Sequence, residues 1–228
     1  MLLALNRSAT TARLLSGVVH ELNNVLQVIS GTVELLEVRA DMPPTARPAL
    51  ERVRNQSARA AATLSDVLQF TRAGLDEMMP VNLREVAQHS VNLRMFAVRR
   101  AGLQITLTAD GNSFLVMGNR GMLQQALLNI IANAEQALAP QKKGTITVQL
   151  TADDGTVTVR VSDDGPGIPM MPPEAAFEPF VTTREPWEGS GLGLWAARQI
   201  AAAHGGTLEI EEGAGAGSVF ALRLRRAQ

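Results

Sequence analysis

An apolar strand pattern in this sequence ends on a carboxylate and two glycines, Val161-Ser162-Asp163-Asp164-Gly165-Pro166-Gly167-Ile168-Pro169. Glycine reaches positive φ without steric cost and lets the backbone run close to a bound molecule. Downstream, Gly189-Ser190-Gly191-Leu192-Gly193-Leu194 opens a helical pattern that continues to Ile200. The free amides and dipole at such a helix start suit an anion such as a triphosphate. Taken in order, the two runs describe a nucleotide pocket. Asp163, at a strand end, is placed to accept a hydrogen bond from the exocyclic amine of adenine; a turn-capping aspartate is the plainer alternative. Gly165 and Gly167 would let the backbone pass the base, while Gly191 and Gly193 would seat the phosphates.

Two amides accompany this pattern. Asn129 and Asn133 lie one turn apart on a helical stretch and are surrounded by Leu127, Leu128, Ile130 and Ile131. An unpartnered buried amide is costly, so a ligand or a network is expected there, against the alternative of a polar helix face. A neutral oxygen suits Mg²⁺, which needs few protein ligands because phosphates and waters complete its shell. Asn133 is the candidate ligand, with Asn129 sharing the task.

The third constellation is Val19-His20-Glu21-Leu22-Asn23-Asn24-Val25-Leu26. Leu15, Val18, Leu22, Val25, Ile29 and Leu36 form an alternating three-and-four seam. His20 lies two residues from each neighbouring seam position, about 200° around the helix at 100° per residue, and so points outward. An in-line phosphoryl donor needs that exposure, although a solvated surface histidine would look the same. Glu21 is placed to take a proton from the second imidazole nitrogen or to hold the tautomer. Asn24 falls one turn on, along the stripe of His20. Of the other histidines, His89 has no adjacent acid, and His204 precedes Gly205-Gly206 at a helix end, where a favourable dipole interaction is sufficient explanation.

In chain order, the His20 segment, Asn129-Ile130-Ile131-Ala132-Asn133-Ala134, the Asp163 turn, Phe177-Glu178-Pro179-Phe180-Val181-Thr182-Thr183-Arg184 and the Gly189 run resemble five boxes of sensor histidine kinases. These are the phosphoacceptor box and the N, G1, F and G2 boxes of the Bergerat-fold ATP-binding domain. The resemblance spans almost the whole chain. It implies an ATP-dependent protein histidine kinase that moves the γ-phosphoryl of Mg-ATP to His20 and then to an aspartate of a response regulator receiver domain. Asn24 would orient water for dephosphorylating that partner. Nucleotide contacts would come from Asn129, Asn133, Asp163, Gly165, Gly167, Thr183, Arg184, Gly189, Gly191, Leu192, Gly193 and Leu194. Arg184 stands where a lysine is common and is either a γ-phosphate ligand or an exposed lid residue. Related hydrolytic ATPases carry an acid at the position of Asn129; an amide there favours transfer over hydrolysis. Val25 replaces a frequent helix-kinking proline, so a straighter helix is expected. Two rival readings keep parts of this pattern: a phosphotransfer hub that no longer binds nucleotide, and a serine/threonine protein kinase on the same ATP fold.

The fold expected is α+β. Residues 1–76 would form an antiparallel helical hairpin that pairs with a second copy into a four-helix bundle, and residues 77–228 an α/β sandwich of the histidine kinase/gyrase/Hsp90 type. The breaker Asp41-Met42-Pro43-Pro44-Thr45 separates the first seam from a second one at Leu50, Val53, Ser57, Ala60, Leu64, Val67 and Thr71. Met78 to Leu83 reads as the linker. Helices are expected over Leu83–Arg100, Arg120–Leu138 and Leu192–His204. Strands are expected over Gln104–Thr108, Phe114–Met117, Thr145–Thr151, Thr156–Ser162, Thr207–Glu212 and Ser218–Arg223. The proline-rich segment Met170–Glu188 reads as a lid anchored by Phe177 and Phe180. At 46% hydrophobic and 19% charged residues, without cysteine, the 228-residue chain is globular and carries neither disulfide nor thiol chemistry. A net charge of −1 removes the usual electrostatic basis for nucleic-acid binding. No run is apolar enough for a membrane segment, and a cytoplasmic location with sensory input from elsewhere is expected.

Overall fold

The computed structural model describes residues 22, 24–38, 43–72, 78–153, 155–169, 172–182, 191–211 and 217–227. His20, Glu21, Thr183, Arg184 and Gly189 lie outside them. Two units are distinguished, residues 1–75 with 184–192 and residues 76–183 with 193–228.

In the first unit, helix α1 (residues 24–37) runs unbroken through Val25, as the absence of proline allows. Proline at 43 and 44 forces a 3-10 turn, Pro44–Ala46, and α2 (Arg47–Arg72) follows. The inward stripe of α1 is Leu26, Ser30, Val33 and Glu37, and that of α2 includes Leu50, Arg54 and Ser57, with Val33 and Ser57 buried. Glu37 accepts from Arg54 at 3.1 Å. Of the apolar seam, Leu22, Val25, Ile29, Leu36 and Val53 are exposed in the single chain, and Val25 is 55% accessible. The hairpin therefore closes on a neighbouring stripe and leaves its most regular apolar stripe open.

The second unit begins not with a linker but with strand β1 (Met79–Asn82), antiparallel to β3 (Leu115–Gly118). Pro80 argues against a strand from sequence, yet an edge strand in a two-stranded ribbon can spare one N–H. Asn82 caps α3 (Leu83–Arg100) by accepting from the Arg84 amide at 3.0 Å. Asn119 caps α4 (Arg120–Leu138) in the same way, accepting from Met122 at 2.9 Å.

The main sheet has the order β2 (Gln104–Asp110), β4 (Thr145–Ala152), β5 (Thr156–Asp163), β7 (Val219–Arg225), β6 (Thr207–Glu211). Among the described residues, only the β2–β4 pair is parallel in this sheet. Alternation along β5 buries Val157, Val159 and Val161 against α4 and turns Arg160 outward to Glu211. The Asp153 carboxylate accepts from the amides of Gly155 and Thr156, which makes the β4–β5 turn. Helices α3, α4 and α5 (Gly193–Ala203) cover one face, with α4 central: its Leu123, Leu127, Ile130, Ile131 and Leu138 are fully buried. This is the expected α+β architecture, a helical region followed by a sheet with helices on one side.

Candidate functional site

Asp163 closes β5 and is 8% exposed. One carboxylate oxygen, Oδ1, accepts from the Gly165 amide at 2.9 Å and, at 3.5 Å, from that of Ser218. The other, Oδ2, is buried and has no hydrogen-bond partner among the described residues. Leaving a buried acceptor unmatched costs about 1–3 kcal/mol, more when it is charged. Burial pushes the Asp163 carboxyl above its ordinary range, the Gly165 and Ser218 hydrogen bonds oppose this, and the charge of Asp164 adds to it. The unmatched oxygen can accept one further N–H.

The backbone around Asp163 leaves no room for alternatives. A Cβ on Gly165 would lie 2.7 Å from Asp163 Oδ1, so a side chain there would displace the carboxylate. A Cβ on Gly217 would lie 1.7 Å from the Asp163 carbonyl oxygen. Neighbouring Ser218 accepts from the Asp163 amide at 3.1 Å. Asp164 points elsewhere and accepts from the Thr145 amide at 2.7 Å, tying the turn to the start of β4. Neither Gly217 nor Asp164 was singled out by sequence reasoning, because both act across strands and leave no local signal.

Helix α4 carries the second wall. Asn129, Asn133 and Ala137 share one stripe at four-residue spacing. At the far end, Gly165 stands so that its Cβ would meet Ala137 at 3.7 Å and Leu138 at 3.3 Å. At the near end, the Asn129 amide donates to the Gly193 carbonyl at 3.1 Å, and its oxygen accepts from Gln125 at 2.9 Å. Asn133 lies midway, so its stripe runs from the Asp163 turn to the start of α5 over about 12 Å at 1.5 Å per residue. An extended mononucleotide can lie along that length. Both asparagines are half-buried rather than enclosed by their apolar neighbours, which face the core. Asn129 is thus committed to bracing α5.

The α5 start bears no acid in its first turn, so nothing on the helix competes for an anion there. Gly191 and Gly167 hold φ of +69° and +81°, a backbone region that favours glycine. Leu192 is buried and Leu194 half-buried. Of the two expected lid anchors, Phe177 is buried in a 3-10 turn, edge-on to Phe220 at 6.1 Å and under the Arg198 guanidinium at 5.0 Å. Phe180 is not an anchor: it is 68% exposed with φ of +65°.

Residues 118–228 match the histidine kinase-, DNA gyrase B- and HSP90-like ATPase family, and residues 11–75 match the His Kinase A (phospho-acceptor) domain. The chain belongs to the sensor histidine kinases. This kinase core is 31% identical over 226 residues to the C4-dicarboxylate transport sensor protein DctB of Rhizobium meliloti (strain 1021), covering 97% of this chain and 36% of that protein. It is 30% identical over 229 residues to the sensor protein FixL of Bradyrhizobium diazoefficiens, covering 98% and 45%. The chain thus spans under half the length of these relatives. Full-length ShkA, solved with AMPPNP, superposes with a TM-score of 0.70 at 26% identity, over 95% of this chain and 46% of that one. Among the described residues, no helix is long and apolar enough to cross a membrane.

Proposed function

We propose that this kinase core moves the γ-phosphoryl of ATP to His20 and hands it on to an aspartate of a response regulator. The observation that carries the nucleotide half is the unmatched, buried Oδ2 of Asp163 at one end of the Asn133 stripe, with the α5 start at the other. Adenine at Asp163 and phosphates at Gly191 and Gly193 fit that order, and ShkA binds AMPPNP on the same fold. Mg²⁺, when bound, would neutralise phosphate charge. Asn133, midway along the stripe between the Asp163 turn and the α5 start, is the residue to hold it.

In the transfer, an imidazole nitrogen of His20 forms the N–P bond as the bond from the γ-phosphorus to its bridging oxygen breaks and ADP leaves. Glu21 receives or holds the proton on the second nitrogen. Glu21, Arg184 and Thr183 enter this scheme on their sequence positions. The regulator as partner is supported by ThkA, which shares the fold and is solved in complex with the response regulator TrrA. Pairing through the hairpin is supported by the His Kinase A match and by the exposed stripe of α1. The intact Asp163 geometry counts against a nucleotide-free hub.

Incubation with γ-labelled ATP and Mg²⁺ tests the reading. The expected label is lost in acid, kept in base and absent from His20→Ala. An acid-stable label would overturn it in favour of a hydroxyl acceptor.

A further inference from the structure

The histidine just past the C-terminal end of α5 uses both ring nitrogens, one on its own helix and one on the start of α4. His204 Nδ1 donates to the Ile200 carbonyl at 2.7 Å, and Nε2 accepts from the Asn119 amide at 3.0 Å. Such a pair of roles requires a neutral imidazole, so a cation meeting the helix dipole does not describe it. Asn119 is the N-cap of α4, and its amide would otherwise be one of the orphan donors of that helix start. The ring also fills its seat: a Cβ on Gly118 would lie 2.7 Å from His204 Cδ2.

Helices α4 and α5 pack against each other and run antiparallel, because Asn129 meets Gly193 while Asn119 meets His204. The two ties are ten residues apart on α4 and eleven on α5, about 15 Å on each helix. The near tie sits beside the proposed phosphate seat and the far one at the opposite end. Two pins on an antiparallel pair fix sliding as well as rotation; one pin fixes neither well. Ala126 on α4 and Ala197 and Ala201 on α5 are small, buried and without polar groups of their own to fix a register.

We infer that His204 is a positioning residue for ATP: as the far pin, it sets the axial register of α5, and hence the distance between the phosphate seat at Gly193 and the metal ligand Asn133. The inference rests on the nucleotide reading above. Without the pin, the binding-competent register is one of several, and apparent affinity falls by the fraction of time it is occupied. Saturating nucleotide selects that register and restores the turnover.

Three variants of the full chain test this: His204→Phe fills the seat without either hydrogen bond, His204→Gln retains an acceptor and a donor, and Gly118→Ala presses on the ring and on Leu123 together. Affinity for a fluorescent ATP analogue is read beside KM and kcat for autophosphorylation and beside thermal melting. His204→Phe and Gly118→Ala are expected to weaken nucleotide affinity and raise KM about tenfold with kcat nearly kept, and His204→Gln to recover most of the loss. General destabilisation would instead lower kcat per total protein and leave KM alone, and that result overturns the pin. Equal weakening in the Gln and Phe variants also overturns it, since the hydrogen bonds would then be immaterial. A wild type that binds the analogue but yields no acid-labile label defeats the histidine kinase reading while the affinity comparison still decides the pin; a wild type that binds no analogue defeats both.

Discussion

Asp163 presents a buried acceptor that no described residue matches. Its carboxyl is raised by burial and one oxygen lacks a donor. The linkage has a definite sign. Below the ordinary carboxylate range, folded and unfolded chains both hold the proton; as pH rises the unfolded chain releases it first, so the folded state loses stability until its own raised pKa is passed. Asp163→Asn removes this penalty yet places an N–H₂ where Oδ2 was, donor against donor. The variant without nucleotide is expected to melt no lower than wild type at pH 8, with a flatter acid-side dependence, and to lose the nucleotide-induced rise in melting temperature. A preserved rise would show that adenine sits elsewhere. Asn24 supports a second prediction on the same scale. It lies exposed on α1, where an amide can hold water for attack on the partner's phosphoaspartate without being needed for the transfer to His20. Asn24→Ala should keep autophosphorylation within a few-fold and slow receiver dephosphorylation by about ten- to a thousand-fold. With a receiver preloaded with phosphate, equal dephosphorylation by the two proteins would remove that role.

Among the elements, the junction of β5 with β7 does the positioning, and it does so through close backbone approach. Gly217→Ala would drive a methyl into the Asp163 carbonyl and force the strands apart at the point where the carboxylate is aimed. The expected cost is roughly 1–3 kcal/mol or more of stability, together with loss of nucleotide binding. Gly31→Ala, inside α1 where a Cβ meets nothing within 4 Å, should cost no stability and leave nucleotide binding unchanged, and calorimetry with and without nucleotide compares the two. What the sequence made legible follows from the same distinction between local and cross-chain causes. Helix α4 was readable to its ends because its apolar spacing and cap are local, and so was the Asp163 turn, where strand, acid and glycines are contiguous. Strand β1 was not, since four residues containing Pro80 are weaker evidence than a linker. Gly217, Asp164 and the far tie of His204 act through partners 54, 19 and 85 residues away, which periodicity does not report.

For the whole molecule, the hairpin poses the remaining question of what covers α1. Spacing correctly marks Leu22, Val25, Ile29 and Leu36 as an apolar stripe, but a single period cannot say that the chain closes on the adjacent stripe through Val33 and Ser57. The exposed set borders an apolar groove of about 350 Å³ lined by Leu26, Ile29, Arg52, Val53, Gln56 and Ser57. Burying one such aliphatic side chain is worth about 1.5–3 kcal/mol, and a second copy would bury several from each chain at once. A symmetric pair also presents the same stripe to itself, which makes a twofold four-helix bundle self-complementary. Placing like charges opposite one another at its centre should reverse this, so Ile29→Glu combined with Val53→Glu is expected to sediment at half the mass of wild type. Nucleotide affinity is expected to stay within about twofold, because Asp163 and Asn133 lie in a different unit from Ile29 and Val53. A double variant that remains dimeric would assign the apolar stripe to a different partner, and one that loses nucleotide affinity together with its partner would make the pocket depend on dimerisation.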